Sequence, residues 1–194
     1  MSRDLLVIGL GNPGDRYTNT RHNVGVVALD DLVARHDGRF SRDKRADALV
    51  AELRIGDRRV TAAFPTTWMN ESGRAVSALV RRHGLDDWSR LVVLHDELDL
   101  EPGRVKVKLG GGLAGHNGLR SITQHLHTQD YARGRIGVGR PPGGPGRGAD
   151  WVLSKVPSSQ RPELEAACVR AADAVDTILD LGVDAAMRRF NQAD

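Results

Sequence analysis

The stretch LLVIGLGNPG at residues 5–14 decides the predicted fold class of this chain. Its first four residues form a short, continuously apolar run closed by glycines, which is typical of a strand buried on both faces of an α/β sheet. A second run of this kind, Leu91-Val92-Val93-Leu94, leads into His95-Asp96. Between the two runs, apolar residues recur at helical spacing over 23–36 and again before Gly84, which predicts two helices.

The rest of the chain predicts antiparallel strands beside that core. The segments 48–55 and 59–64 flank Gly56-Asp57-Arg58 and predict a hairpin, because Gly-Asp tolerates the positive φ of tight turns. Further predicted elements are a strand at 105–109 that buries Val105, Val107 and Leu109, a helix at 118–126, a strand at 134–139, a mobile Pro/Gly loop at 140–148 and a helical C-terminal third. We predict one domain over 1–194, an α/β three-layer sandwich with a central mixed, mostly parallel twisted sheet flanked by helices.

Length and composition indicate a globular protein of a reducing compartment. The 194 residues fall within the usual size of one domain, and 40% of them are hydrophobic. Cys168 is the sole cysteine, so a disulfide framework is excluded. The N-terminal apolar run is too short for a signal sequence, and no stretch approaches the ~18 apolar residues of a membrane span. We therefore expect a cytoplasmic protein without a membrane partner.

Positive charge is concentrated in one glycine-rich segment. Residues 103–148 carry eight basic residues and one acid, Asp130, a net +7, whereas the whole chain has +3. Thirteen of the 22 glycines lie in the same segment, where small residues let a ligand or another strand come close. A basic, glycine-rich segment favours a phosphate-bearing partner, although a solvated surface is the commoner explanation of a charge cluster taken alone.

The glycines at 9, 11 and 14 satisfy the GxGxxG pattern of dinucleotide-binding proteins. In those proteins a helix begins inside the glycine run, so that its N-terminal amides meet the pyrophosphate. Here Pro13 restricts Asn12, and the polar stretch 15–21 delays the helix until about Asn23. The glycines are instead predicted to turn the backbone and present Asn12 at the end of the first strand, where ligands bind in open α/β sheets.

His22 and Asp96 are the candidate acid–base pair. His22 stands at the predicted N-terminus of the first helix, where the positive end of the helix dipole disfavours the imidazolium. Asp96 ends a buried strand, and a carboxylate that accepts the imidazole N–H fixes the tautomer and stabilises the cation formed on proton transfer. Taken alone, each residue has a bland explanation, a surface or capping histidine and a turn-capping acid.

Asn12, Asn70 and Asn117 each lie at a predicted strand-to-loop or loop-to-helix junction. An amide offers donors and an acceptor without charge, which suits it to grip a peptide backbone or position water, while each asparagine alone is typical of an N-cap or turn. The sequence has no serine nucleophile elbow and no His/Cys spacing typical of a metal site. Water activated by a His–Asp pair, without metal or cofactor, is the predicted chemistry.

At this point the sequence resembles a known family, the bacterial peptidyl-tRNA hydrolases. Its hallmark blocks occur here in the family order: GLGNPGDRYTNTRHNVG (9–25), PTTWMNESG (65–73), HDELDLEPGRVKVKLGGGLAGHNGLRSI (95–122) and RIGVGRP (135–141). The blocks span most of the chain. The resemblance implies a monomeric α/β protein that hydrolyses the ester joining a peptide to the 3′-terminal ribose of tRNA.

The resemblance also implies roles for individual residues. It makes His22 the catalytic histidine and Asp96 its partner. It implies that the amides of Asn12, Asn70 and Asn117 position substrate and water, in a cleft that Tyr17 and Met69 also line to bind the substrate. It implies that tRNA phosphates are met by three basic residues, Lys106, Lys108 and Arg135.

Two positions depart from the family pattern, and two other functions compete with the hydrolase. Trp68 replaces the usual Tyr, which preserves an aromatic wall, and Phe64 stands where a Lys commonly precedes Pro65. One alternative is a non-catalytic RNA-binding module on the same scaffold, and the other is a nucleotide-dependent oxidoreductase built on the GxGxxG pattern. A pure binding module has no chemical need for the His–Asp pair, so the residues favour the enzyme.

Overall fold

A computed structural model of the chain describes residues 4–144 and 146–192. Its strands, in chain order, are β1 (Leu5–Gly9), β2 (Ser41–Asp43), β3 (Ala48–Ile55), β4 (Arg58–Pro65), β5 (Leu91–Glu97), β6 (Val105–Leu109) and β7 (Ala132–Gly137). Its α-helices are α1 (Val24–Arg35), α2 (Ser72–His83), α3 (Asn117–Leu126), α4 (Gly148–Val152), α5 (Arg161–Leu181) and α6 (Val183–Phe190). Single 3₁₀ turns occur at Asp15–Tyr17, Arg21–Asn23, Met69–Glu71 and Trp88–Arg90.

The strands form one mixed sheet in the order β2-β3-β4-β1-β5-β7-β6. The central pairs β4–β1, β1–β5 and β5–β7 are parallel, whereas the outer pairs β2–β3, β3–β4 and β6–β7 are antiparallel. The predicted α/β class, with a mixed sheet and a parallel centre, is therefore confirmed.

Helices cover both faces of this sheet, which explains the continuous apolar run of β1. Val7 packs into a core with α1, α5 and α6, while its neighbour Ile8 packs into a second core with α2 and α3. Successive side chains of a strand point to opposite faces, so a strand between two cores needs apolar residues at every position. Burial of each such side chain contributes about 1.5–3 kcal/mol.

A close approach of backbone to backbone brings the start of α1 against the sheet. A Cβ at Gly25 would lie 2.3 Å from the carbonyl oxygen of Leu94 in β5, and one at Gly9 would lie 2.7 Å from the carbonyl oxygen of Gly25. Only glycine fits such a contact. The turn that precedes α1 and carries His22 is thus held beside the end of β5, which carries Asp96.

Several local predictions need correction. Leu109 was predicted to be buried, but its side chain is 43% exposed because it ends the edge strand β6. The hairpin loop is shorter than predicted, since Arg58 already pairs with Ile55. The strand predicted at 134–139 lies at Ala132–Gly137, and the short elements β2 and α4 had no clear sequence signal.

Two further expectations concern the segment 140–148 and membranes. Pro145 lies outside the described residues, so the predicted mobility of the 140–148 loop stays a prediction, as does the extent of the domain over 1–194. Among the described residues, no helix has both the length and the apolar character needed to cross a membrane.

Candidate active site

Six of the predicted site residues meet where the parallel strands end. Asn12 follows β1, Met69 and Asn70 follow β4, and Asp96 lies near the end of β5. Ligands bind at this edge in open α/β sheets, because loops and helix starts converge there. Two adjoining cavities of about 190 and 260 Å³ open at this edge, and they share the lining residues His22, Asn117, Ala149 and Val152.

Asp96 lies between two imidazoles. Its Oδ2 is 2.8 Å from Nδ1 of His22, and its Oδ1 is 2.7 Å from Nε2 of His116. The two rings lie 4.9 Å apart between centroids, and all three residues are buried. Burial alone would raise the pKa of the Asp96 carboxyl, but the rings of His116 and His22 that hydrogen-bond to it hold that pKa well below its usual range. Asp96 is therefore an ionised acceptor with both oxygens used.

The hydrogen bonds fix the tautomers of both rings. Nδ1 of His116 accepts from the backbone N–H groups of Gly118 and Leu119, at 3.1 and 3.3 Å, so its proton resides on Nε2. An ionised carboxylate only accepts, so His22 donates through Nδ1–H. The neutral His22 ring then keeps a lone pair on Nε2, on a side chain that lines both cavities.

His95 supports this cluster as a neutral group. Burial, followed by the neighbouring His116, lowers the pKa of His95 to about 3. Its Nδ1 lies 2.8 Å from the carbonyl oxygen of Asp96, and its ring packs edge-on against that of His116 with centroids 5.2 Å apart. The ring therefore braces Asp96 and His116 without adding a charge.

The group His22, Asp96 and His116 offers ligand atoms within 4.8 Å of one another, a spacing compatible with a metal ion. Those same atoms already form the two hydrogen bonds to Asp96. Because Nδ1 of His116 accepts from backbone N–H groups, its one ring proton lies on Nε2, and metal binding at Nε2 would need the ring to lose that proton. The arrangement thus suits hydrogen bonding better than metal ligation.

Asn12 ties three segments together. Its side-chain Oδ1 accepts from the backbone N–H of Met69 at 2.8 Å. Asn23, in the turn before α1, holds the Asn12 backbone by accepting from its N–H and donating to its carbonyl oxygen, both at 2.9 Å. The amide N–H groups of the Asn12 side chain can donate to a ligand in the larger cavity that Asn12 lines, and its oxygen keeps a second lone pair.

The other cleft residues differ in exposure. Asn70 and Asn117 are exposed and line the larger cavity, whereas Met69 is buried. Trp68 also lines that cavity, with 54% of its surface exposed, and the half-buried Tyr17 packs edge-on against it at 5.9 Å between centroids. Phe64 packs against the core on the α1 face, which suits an apolar residue at this position.

The three predicted basic residues lie on the neighbouring strands β6 and β7. Lys106 is paired with Arg135 and Lys108 with Arg133, so their side chains share one face of the sheet. Nε of Arg135 lies 3.3 Å from Oε2 of Glu97, which lines the smaller cavity. Lys106, Lys108 and Arg135 therefore form a basic strip, which begins beside the cleft and runs along the outer strands β7 and β6.

Sequence reasoning missed three residues that shape this cleft: Asn23, His116 and Arg133. Arg133 is buried and donates to the carbonyl oxygens of Gly111 at 2.8 Å, Gln129 at 3.0 Å and Gly112, so it anchors the glycine loop before His116. His116 stood inside a quoted sequence block, next to Asn117. Its contact with Asp96 spans 20 residues, and no local periodicity reports such a contact.

Known proteins resemble this chain over nearly its whole length. The sequence model described as Peptidyl-tRNA hydrolase matches residues 6–194. The chain belongs to the peptidyl-tRNA hydrolase family. Among its relatives, the peptidyl-tRNA hydrolase of Rhodococcus erythropolis is 48% identical over 192 residues, covering 98% of this chain and 100% of the relative. That of Mycobacterium tuberculosis is 44% identical over 191 residues, covering 98% and 99%.

Solved structures show the same similarity within this family. The crystal structure of peptidyl-tRNA hydrolase from Acinetobacter baumannii superposes with a TM-score of 0.92 at 34% sequence identity. The match covers 100% of this chain and 97% of that one. The resemblance drawn from the sequence blocks is thereby confirmed.

Proposed function

We propose that this protein hydrolyses the ester between a peptide and the 3′-terminal ribose of tRNA, with water as the nucleophile and His22 as the general base. Membership of the peptidyl-tRNA hydrolase family supports the reaction. The observation that carries the mechanism is the 2.8 Å contact of His22 Nδ1 with Asp96 Oδ2, on a ring that lines a cleft.

The reaction proceeds in two proton transfers. Nε2 of His22 takes a proton from water as the water oxygen attacks the ester carbonyl, and Asp96 stabilises the imidazolium that forms. Amide N–H groups of the cleft or backbone N–H groups stabilise the oxyanion. Collapse breaks the bond to the ribose oxygen, which receives the proton from the imidazolium. General-base help is worth ~10²–10⁴-fold in rate, and one oxyanion donor about 10²–10³-fold.

Substrate recognition divides between amides and cations. Asn12, Asn70 and Asn117 hold the peptide and the water, beside Met69 and the pair Tyr17–Trp68. Lys106, Lys108 and Arg135 contact tRNA phosphates, which makes binding independent of base sequence. The protein acts in this way as a cytoplasmic monomer on peptidyl-tRNA, with no cofactor or metal.

The test is release of tRNA from an N-acetyl-aminoacyl-tRNA, compared with the unblocked aminoacyl-tRNA. We expect hydrolysis of the blocked form, and His22→Ala to lower kcat by at least about 10²-fold while tRNA binding persists. His36→Ala is the matched control, since His36 pairs with Asp176 at 2.8 Å near the end of α1. An unchanged rate in His22→Ala rejects the mechanism. Tight tRNA binding without hydrolysis by the unmodified chain supports the RNA-binding module instead.

A further inference from the structure

Arg21, the residue before His22, is a buried cation with no carboxylate within ion-pair distance among the described residues. Only 3% of its surface is exposed, and burial lowers the pKa of its guanidinium. The guanidinium carbon lies 3.4 Å from the ring centroid of Trp151, Nη1 donates to Oγ of Ser154 at 2.5 Å, and Nη2 approaches Oε1 of Gln160 at 3.4 Å. An aromatic face and neutral acceptors thus replace the usual counter-ion.

Every one of these partners belongs to the segment that follows the 140–148 loop. The backbone repeats the connection, since the Arg21 N–H donates to the Ser154 carbonyl oxygen at 3.3 Å. Trp151 also ties this segment to the end of β7, because its Nε1 donates to the carbonyl oxygen of Gly139 at 2.9 Å. One indole ring therefore joins both ends of the loop to the turn that carries His22.

The elements joined in this way form one wall of the cleft. Ala149 and Val152 of α4 line both cavities beside His22, and Leu153 lines the larger one. α4 has only five residues, too few to be stable as an isolated helix, so its position depends on tertiary contacts. The contacts of Arg21 and Trp151 are available for that purpose.

We propose that Arg21 and Trp151 act as one unit that holds α4 over the cleft, and that they are positioning residues for the peptidyl ester. The inference rests on the proposed role of this cleft in ester hydrolysis. The orientation of His22 has separate supports, its hydrogen bond to Asp96 and the bonds of Asn23 to Asn12. Loss of the unit therefore weakens substrate binding and leaves the base in place.

A double-mutant cycle tests this coupling. We expect Arg21→Met and Trp151→Leu each to raise KM for N-acetyl-aminoacyl-tRNA about tenfold, with kcat within about twofold and the pH profile of kcat unchanged. The double variant also raises KM about tenfold, because the second change removes nothing further. Arg21→Lys keeps the charge but loses the planar stacking, and gives an intermediate KM.

Matched controls separate positioning from general stability. Arg35 is a half-buried arginine that pairs with Asp173 and Asp176, and Trp88 lies in the turn before β5. Arg35→Met and Trp88→Leu are expected to lower Tm and to leave KM unchanged. If Arg21→Met and Trp151→Leu behave in the same way, or if the double variant raises KM about a hundredfold, the proposal is wrong.

Hydrogen exchange gives a readout that does not depend on catalysis. The amides of Trp151, Leu153 and Ser154 donate to carbonyl oxygens within or beside α4. We expect them to exchange at least about tenfold faster in Arg21→Met than in the unmodified protein, and by a smaller factor in Arg21→Lys, while amides of β5 keep their protection. Unchanged exchange at these three amides overturns the proposal. Inactivity of the unmodified protein on the ester would instead contradict the proposed function.

Discussion

Nδ1 of His22 lies 2.8 Å from Oδ2 of Asp96, although 74 residues separate them in the chain. They meet because the turn before α1 and the end of β5 converge at one edge of the sheet, where Gly25 allows close backbone contact. The second oxygen of Asp96 is taken by His116. Because Asp96 accepts a hydrogen bond from each of the two rings, Nδ1 of His22 must be the donor. Nε2 of His22 is therefore the nitrogen that faces the cleft.

Asp96→Asn should therefore inactivate the enzyme without unfolding it. An amide replaces one acceptor oxygen by an NH₂ donor. Because backbone N–H groups keep the His116 proton on Nε2, the remaining oxygen faces His116 and the NH₂ faces His22, whose ring must change tautomer. A His22 ring protonated on Nε2 has no lone pair for water. We expect kcat for N-acetyl-aminoacyl-tRNA to fall by ~10²–10⁴-fold.

The matched control is Asp99→Asn, three residues further along. Asp99 is exposed and pairs with Arg140 at the surface, so its loss should leave kcat unchanged. Single-turnover rates of the two variants give the comparison. Equal rates for Asp96→Asn and the unmodified protein would show that the carboxylate does not set the tautomer.

The sequence predicted those parts of the structure that depend on residues close together in the chain. β1 and β5 lie between two cores, so both of their faces are buried. Each strand therefore has an unbroken run of apolar residues in the sequence. Asn12 and Asp96 could be placed at the carboxyl ends of the parallel strands, because each comes soon after such a run. These predictions used neighbours in sequence only.

The parts that were missed depend on contacts distant in sequence. α4 has only five residues, and its position depends on the contact between Arg21 and Trp151. A single contact of this kind leaves no periodic pattern in the sequence. The basic segment as a whole is typical of a solvated surface, yet Arg133 within it is buried and donates to three backbone carbonyl oxygens. Leu109 followed the alternation of β6, but the sequence did not reveal that β6 is an edge strand.

The basic strip makes a prediction about salt. Lys106 lies opposite Arg135 beside the cleft, so Lys106→Ala should raise KM for the tRNA substrate. If Lys106 neutralises one phosphate, its loss lowers the slope of log K against log[salt] by ~0.7–0.9. Filter binding between low and moderate salt measures that slope. Lys44→Ala removes an exposed cation between β2 and β3, at the other edge of the sheet, and should leave the slope unchanged. Equal slopes for both variants would show that Lys106 does not contact a tRNA phosphate.

His95 predicts how stability depends on pH. Its pKa in the folded protein is about 3, well below the ~6.5 of an unfolded histidine, so between these values only the unfolded chain binds the proton. The free energy of unfolding should therefore fall as pH falls from about 6.5, by up to ~1.4 kcal/mol per pH unit. Asp96, whose folded pKa is lowered, contributes stability that is lost only below about pH 4.

Urea unfolding at pH 7, 6 and 5 separates these contributions. His95→Asn keeps a donor for the Asp96 carbonyl oxygen but cannot bind the proton, so the loss of stability between pH 7 and 5 should shrink by about 2 kcal/mol. His83→Asn changes an exposed histidine and should keep the slope of the unmodified protein. A steep slope that survives in His95→Asn would assign the effect to another group.

Gly25→Ala tests whether the contact of α1 with β5 sets the catalytic geometry. In an exposed helix this change stabilises by up to about 1 kcal/mol, because alanine is the better helix former. Here the new Cβ would lie 2.3 Å from the Leu94 carbonyl oxygen, so α1 must move outward or β5 must bend. We expect a loss of ~1–3 kcal/mol in the free energy of unfolding. The same shift separates His22 from Asp96, so kcat should fall more than stability alone explains. Gly112→Ala is the control, since nothing lies within 4 Å of its Cβ position and its φ is not positive. Comparable urea midpoints and kcat values for the two variants would mean that α1 can move away from β5 at no cost, and that Asp96 holds His22 without help from the backbone contact.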